Sequence, residues 1–186
     1  MTSTHNELFG RAADLLEPHL VIHGVTLPPL TASAREAIHQ AQLLFSQVVV
    51  INPGNWAAFW LRGKSHERLG DHQAALDDFA KAYLLKPDEA DVAREATIAA
   101  IRCSRFALAI QFALAASQAA PEDAGLLANL ALAHLVGQDP HAARSFVQQA
   151  LAADPQDATT LRLAAVIDEV LAGTRTCPTE LRDLDA

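Results

Sequence analysis

Apolar residues recur along most of this chain at spacings of three and four, the signature of helices that bury one face. Between residues 72 and 85 they are Ala75, Leu76, Phe79, Ala82 and Tyr83, with Gln73, Asp77 and Lys81 among the residues between them. The same pattern returns in segment after segment and predicts an all-helical chain. Its breaks are regular: Pro53, Pro87, Pro121 and Pro155 stand 34 residues apart. A fixed period of roughly 20–50 residues marks a stacked repeat, and a helix–turn–helix unit fits this one. Such repeats present surfaces to other chains, so the period points to binding before any chemistry is considered.

Superposing the chain on itself at this period brings further positions into columns. Ala41, Ala75, Ala109 and Ala143 form one; Phe45, Phe79, Ala113 and Val147 a second; Val48, Ala82, Ala116 and Ala150 a third. Gly63, Thr97, Ala131 and Ala165 form a fourth column, of small residues. Small residues permit a close helix–helix crossing, with a larger apolar residue filling the gap beside it. Each proline follows an apolar run and is expected in the first turn of the next helix.

Three units follow from the period: 56–89, 90–123 and 124–157. In the first, one helix carries Phe59, Trp60 and Gly63 and ends at Leu69-Gly70-Asp71, where glycine supplies a left-handed terminus. On Gly63, Gly70-Asp71, Ala75, Phe79, Ala82 and Pro87 this unit resembles the tetratricopeptide repeat (TPR) family. The second unit keeps Ala109, Ala116 and Pro121 but has Thr97 and Cys103-Ser104 where the first has glycines. The third restores the pattern with Leu127, Leu130, Ala131, a Gly137-Gln138-Asp139-Pro140 turn, Ala143, Val147 and Ala150. Residues 158–172 then read as a lone helix, with Leu161, Ala164, Ala165 and Ile167 inward and Asp168 and Glu169 outward. The resemblance implies a right-handed superhelix of TPR helix–turn–helix repeats, closed by this C-terminal solvating helix and opened by an N-terminal helical cap. The tail, 173–186, is expected to form a turn of helix after Pro178 or to stay mobile.

The front end departs from the family. Residues 31–55 read as the second helix of an atypical first repeat, running from Thr31 to Ile51 with a Ser33/Glu36 capping box. Pro28-Pro29 forbids a first helix directly before it, so its partner is expected at about residues 6–17, capped by Thr4 and Glu7. Within 1–30, the stretch Pro18–Leu30 is long for a loop and rich in apolar residues: Leu20, Val21, Ile22, Val25, Leu27 and Leu30. It reads as an irregular cap, with a homodimer contact or occupation of the protein's own groove as alternatives.

Composition narrows the class. Apolar residues make up 51% of the 186 positions, enough for a continuous core in one domain or short solenoid. The net charge is −8 and no Lys/Arg block occurs, which excludes nucleic acid or an anionic membrane as the main partner. Cys103 and Cys177 lie far apart and outside any metal or redox spacing, so reduced thiols are expected. Met1–Gly24 has no basic leader followed by an apolar run, and no stretch approaches the ~18–20 apolar residues of a membrane span. A cytoplasmic protein is the expectation.

The resemblance also implies where a ligand would bind, because first helices line the concave groove of TPR proteins. Carried over at this period, the groove stripe comprises Trp60, Lys64 and Glu67; Asp91, Arg94, Ile98 and Ile101; Asn129, Leu132 and Leu135; and Arg162 and Val166. Its centre is apolar and its flanks cationic, which suits a protein or peptide partner with apolar anchors and some acidic residues. Trp60 is the leading hot-spot candidate; alternatively it packs between helices while Trp56 or Phe59 faces outward. The two-Lys/Arg, three-Asn clamp of TPR proteins that hold heat-shock protein C-termini is absent. Trp60, Lys64 and Glu95 stand where that clamp needs Lys, Asn and Asn.

Catalytic and metal chemistry find little purchase. Ala58 to Ser65 satisfies a loose phosphate-loop pattern, ending Gly63-Lys64-Ser65, but Phe59, Trp60 and Leu61 fill the supposed loop inside a helix. His19 and His23 follow Glu17 at a ligand-like spacing, yet Pro18 and Gly24 flank them and no third ligand is near. His66 and His72 straddle a turn, and His134 falls on an inner helical face. Cys103 beside Arg102 and Arg105 has the surroundings of a lowered thiol pKa, but its turn position reads as packing. No metal, cofactor or enzymatic activity is expected. The function read from the sequence is a non-catalytic protein–protein interaction module, a scaffold, adaptor or chaperone. In size and layout the chain is also similar to type III secretion translocator chaperones. A third reading is a self-assembling protein that dimerises through its N-terminal segment.

Overall fold

The computed structural model describes residues 2–20 and 28–184. Val21, Ile22, His23, Val25 and Leu27 lie outside the described residues, and with them most of the apolar segment expected to cap, dimerise or fill a groove. The helices run α1 (Thr2–Leu16), α2 (Ala32–Ile51), α3 (Trp56–Leu69), α4 (His72–Leu85), α5 (Ala90–Arg102), α6 (Phe106–Ala119), α7 (Ala124–Val136), α8 (Pro140–Ala153) and α9 (Ala158–Leu171). Short 3-10 turns occupy Glu17–His19 and Leu181–Leu184, and no strand occurs among the described residues. Contacts divide the chain into two units, Met1–Lys86 and Pro87–Ala186.

In the first unit α1 packs on α2 and α3 on α4. Ala12 and Leu16 of α1 meet Ile38, Ala41, Phe45 and Val48 of α2 and Ala58 of α3 in one buried cluster. Phe9 stands edge-on to Phe45, with ring centroids 5.8 Å apart. The start of α2 differs from the expected capping box. Thr31 is the cap, its Oγ1 accepting from Ala34 N at 3.1 Å, while Ser33 bonds the Thr31 hydroxyl and Glu36 accepts from Gln40 one turn on. The Pro28 carbonyl is tied to α3 by Arg68, whose Nη2 donates to it at 2.7 Å.

In the second unit α5 packs on α6, α7 on α8, and α9 on α7 and α8. All the side chains of the first three columns are buried, in both units. The fourth column behaves differently at its end. Thr97 and Ala131 are buried and Gly63 faces Phe79 of α4, but Ala165 is exposed, as is Leu161. Both were expected inward. The column faces the second helix of its own repeat, and among the described residues no α-helix follows α9; Thr160, Val166 and Ile167 provide its buried face instead.

The turns repeat as closely as the columns. Gly70, Ser104 and Gln138, at intervals of 34, all take left-handed φ (85°, 55° and 68°). At each, its own N–H and the next one donate to carbonyls of the preceding helix, as in Ser104 N to Ile101 O (2.9 Å) and Arg105 N to Ala100 O (2.8 Å). Gly137 is needed for another reason: a Cβ there would lie 2.9 Å from Ala133 O. Helix caps recur too. Asn55, Asp71, Asp123, Asp139 and Asp157 each accept a backbone N–H, whereas the equivalent Glu89 and Arg105 make no cap bond. The periodic prolines precede these caps by two residues rather than lying in the first helical turn. Pro53 and Pro121 sit at the second position of β-turns closed by Asn55 N to Asn52 O and Asp123 N to Ala120 O, both 3.1 Å.

Beyond α9 the chain folds back. Cys177 donates to Leu135 O at 3.0 Å, Gln138 donates to Pro178 O at 3.0 Å, and Leu184 packs against the cluster of Ala131, Leu135, Ala143, Val147, Val166 and Ile167.

Candidate functional site

Three first helices of the second unit lie side by side, α5 against α7 and α7 against α9. Between α7 and α9 opens a cavity of about 130 Å³, lined by Leu132, Thr159, Arg162, Leu163 and Val166 and closed at one edge by Leu184 of the tail. Thr159, Arg162, Leu163 and Val166 follow the spacing of one helical face. Asp157 caps that helix, and its bonds to Thr160 hold its carboxyl below the usual range. Arg162 is exposed, and the charge it acts on among the described residues is that of Asp157 at the cap of the same helix. The arrangement can seat one apolar side chain and place a cation beside it.

The other cation expected in this unit is differently placed. Arg94 pairs with Asp91 at 2.8 Å and with Asp123 at 3.0 Å, so it joins α5 to the cap of α7. Ile98 and Asn129 are half-buried, whereas Ile101 and Leu135 are buried and back the helices from inside.

In the first unit Trp60 is half-buried, and its Nε1 is buried with no hydrogen-bond partner among the described residues. Lys64 and Glu67, both expected to face a ligand, instead form a buried pair at 3.0 Å, with side chains 3% and 6% exposed. One turn of helix separates them, and burying either alone would leave an uncompensated charge.

A polar cluster that sequence reasoning missed sits on α2, α3 and α4. Arg62 donates twice to Asp78, at 2.8 and 2.6 Å, and once to Ser46 at 3.1 Å, with its guanidinium 5.5 Å from the centre of the Phe59 ring. The Asp78 bond raises the Arg62 pKa above its ordinary value despite partial burial. His66 bonds Gln42 at 3.1 Å and lies 3.8 Å from Asp78. Burial outweighs the nearby carboxylates and pushes the His66 pKa down. Gln42, Ser46, Arg62 and His66 bound a cavity of about 430 Å³ with His39 and Leu43. The available signal was Asp78 itself, a charged residue next to the buried Phe79 in an otherwise apolar face.

No family model matches the chain. Residues of the chain are 33% identical over 61 positions to the transcription factor tau 131 kDa subunit of Saccharomyces cerevisiae, a match that spans 33% of this chain and 6% of the yeast protein. Solved structures are similar over far more of its length. MamA (41-end) from Desulfovibrio magneticus RS-1 superposes with a TM-score of 0.75 over 98% of this chain and 93% of that one, at 16% identity. YrrB, described as a TPR protein with an unusual peptide-binding site, gives 0.66 over 82% and 77%, also at 16% identity. This chain has the tetratricopeptide-repeat fold.

Within the TPR fold the phosphate-loop pattern is helical throughout, because Gly63-Lys64-Ser65 lies in the middle of α3. Its Lys64 is buried against Glu67, and Ser65 Oγ donates to Leu61 O at 2.9 Å, so neither is presented to a phosphate. Among the described residues no group of three His, Cys, Asp or Glu side chains could hold a metal, and no helix is long and apolar enough to cross a membrane.

Proposed function

We propose that this protein is a non-catalytic interaction module whose first helices bind a peptide or helical segment of a partner protein, in a scaffold or adaptor role. The observation that carries the proposal is the apolar cavity between α7 and α9 with the exposed Arg162 on its rim. Leu132, Arg162 and Val166 of the stripe read from the sequence line it together. An apolar slot beside a cation suits a segment with an apolar anchor and a neighbouring carboxylate. The likeness to YrrB, whose description names a peptide-binding site, supports a binding role for this fold. Within the second unit Asn129 extends the candidate surface along α7 and Ile98 adds apolar area on α5; in the first unit, taken by itself, Trp60 is a candidate contact on α3.

The test is selection from a displayed peptide library on the full chain, followed by titration of the selected peptides. Arg162→Glu and Leu132→Asp are each expected to weaken binding at least about tenfold, a loss of about 1.4 kcal/mol. Folded variants that bind every selected peptide as tightly as wild type would sink the proposal, as would failure to select any peptide.

A further inference from the structure

The edge of the α7–α9 cavity is formed by the protein's own C-terminal segment. Leu184 lines it alongside Leu132, Leu163 and Val166. The segment is held there by a compact set of bonds. Asp183 Oδ2 accepts from the backbone N–H of Thr179 and Glu180, both at 3.0 Å, which shapes the 3-10 turn carrying Leu184. Arg175 pairs with Glu169 of α9 and donates to the Asp183 carbonyl.

The chemistry of this segment is that of the partner the cavity suits. Glu180-Leu181-Arg182-Asp183-Leu184-Asp185 carries two leucines among three carboxylates. Its described carboxylates are engaged elsewhere: Asp183 caps its own turn, and Glu180 pairs with Arg182 at 2.8 Å. Arg162 therefore stands beside an apolar slot that Leu184 walls at one edge, with no ion pair from the described tail.

We propose that Leu181–Leu184 is an internal competitor of the partner: Leu184 closes one edge of the α7–α9 cavity in cis, and the partner seats a leucine of an acidic segment there in trans. This rests on the peptide-binding reading above and deepens it. A tethered segment reaches an effective concentration on the order of millimolar, so a weak contact suffices to occlude the cavity. An incoming segment displaces it by placing a carboxylate on Arg162, a contact the described tail residues do not make. Apparent affinity for the partner is reduced by the fraction of molecules with the tail in place.

The test uses a fluorescein-labelled peptide with the sequence of Pro178–Ala186, titrated with the full chain as wild type, Leu184→Asp and Leu184→Ala. Freeing the cavity in cis is expected to tighten binding of the peptide at least about tenfold in both variants. Adding Leu132→Asp to either is expected to abolish that gain, and a peptide with Asp at the position of Leu184 is expected not to bind. Variants that lose thermal stability and gain no affinity would make the tail a permanent cap and overturn the proposal. Library-selected peptides that bind with Arg162 dependence while the tail peptide does not would overturn this inference alone. If neither binds, the peptide-binding reading falls with it.

Discussion

Phe79 of α4 packs so closely on Gly63 of α3 that a Cβ at residue 63 would lie 2.7 Å from Cε1 of the ring. Phe79 is fully buried, so the ring has nowhere to move. Gly63→Ala gains about 1 kcal/mol of helix propensity and meets an overpacking cost of roughly 1–3 kcal/mol. A net loss of stability is expected in urea denaturation. Phe79→Leu is expected to cost less in the Gly63→Ala background than in wild type, because the two positions share one contact.

The repeat at 90–123 lacks features its neighbours have. Ser104 holds a left-handed φ of 55° that Gly70 adopts without strain, and Arg105 occupies a cap position that Asp71 and Asp139 fill with a hydrogen bond. Ser104→Gly is expected to stabilise the fold by about 1 kcal/mol by removing left-handed strain. Arg105→Asp is expected to add a further gain on the order of 0.5–2 kcal/mol by capping α6. Thermal melts of the single variants would test each; a lower melting temperature in both would refute the register of the turns.

Arg62 and Asp78 form the bidentate contact that joins α3 to α4, with side chains 20% and 8% exposed. Asp78→Ala leaves the guanidinium in a half-buried setting without its carboxylate. The expected loss is about 2–3 kcal/mol, below the ~3–5 kcal/mol of a fully buried pair because Arg62 keeps some solvent. Arg62→Met with Asp78→Leu is expected to recover most of it. Chemical denaturation of wild type, Arg62→Met, Asp78→Leu and the double variant would measure the coupling.

Stability is also expected to fall in mild acid. Burial lowers the pKa of His66 despite Asp78 and Asp71, with Arg62 and His39 adding to the lowering, and lowers that of His134 despite Asp139. A histidine whose folded pKa lies below its unfolded value binds more protons when unfolded. Its contribution is therefore complete above about pH 6.5 and is lost as pH falls through the lowered folded value. His134 stacks on Phe146 at 5.3 Å, so His134→Phe keeps the packing and removes the titration. Melting temperatures across pH 5–8, a range of about three units around the ordinary histidine value, should show a flatter profile for His134→Phe. An unchanged slope would show that burial of His134 does not govern the acid limb.

Much of the architecture is legible in the sequence. Ala41, Phe45 and Val48 and their counterparts at steps of 34 are buried because a stacked repeat returns each column to the same neighbours. The period also places turns at Cys103-Ser104 and Gly137–Pro140, whereas the left-handed φ of Ser104 and Gln138 is a finding of the structure. Lys64 and Glu67 carried a readable warning as well, since opposite charges three apart on a helix face pair readily.

Where the repetition ends, so does its reach. The apolar spacing of α9 predicts a helix but not which side is covered, because that depends on whether another helix follows. Leu161 and Ala165 are exposed for this reason. The Arg62–Asp78 pair joins residues 16 apart on different helices, and Leu184 reaches a cavity lined by Leu132, 52 positions earlier in the chain. Periodicity along one chain records which face each helix buries and how it turns into the next. Side-chain pairing between helices, and what closes the last apolar face, were decided only by tertiary structure, because they depend on contacts that occur once and leave no period in the sequence.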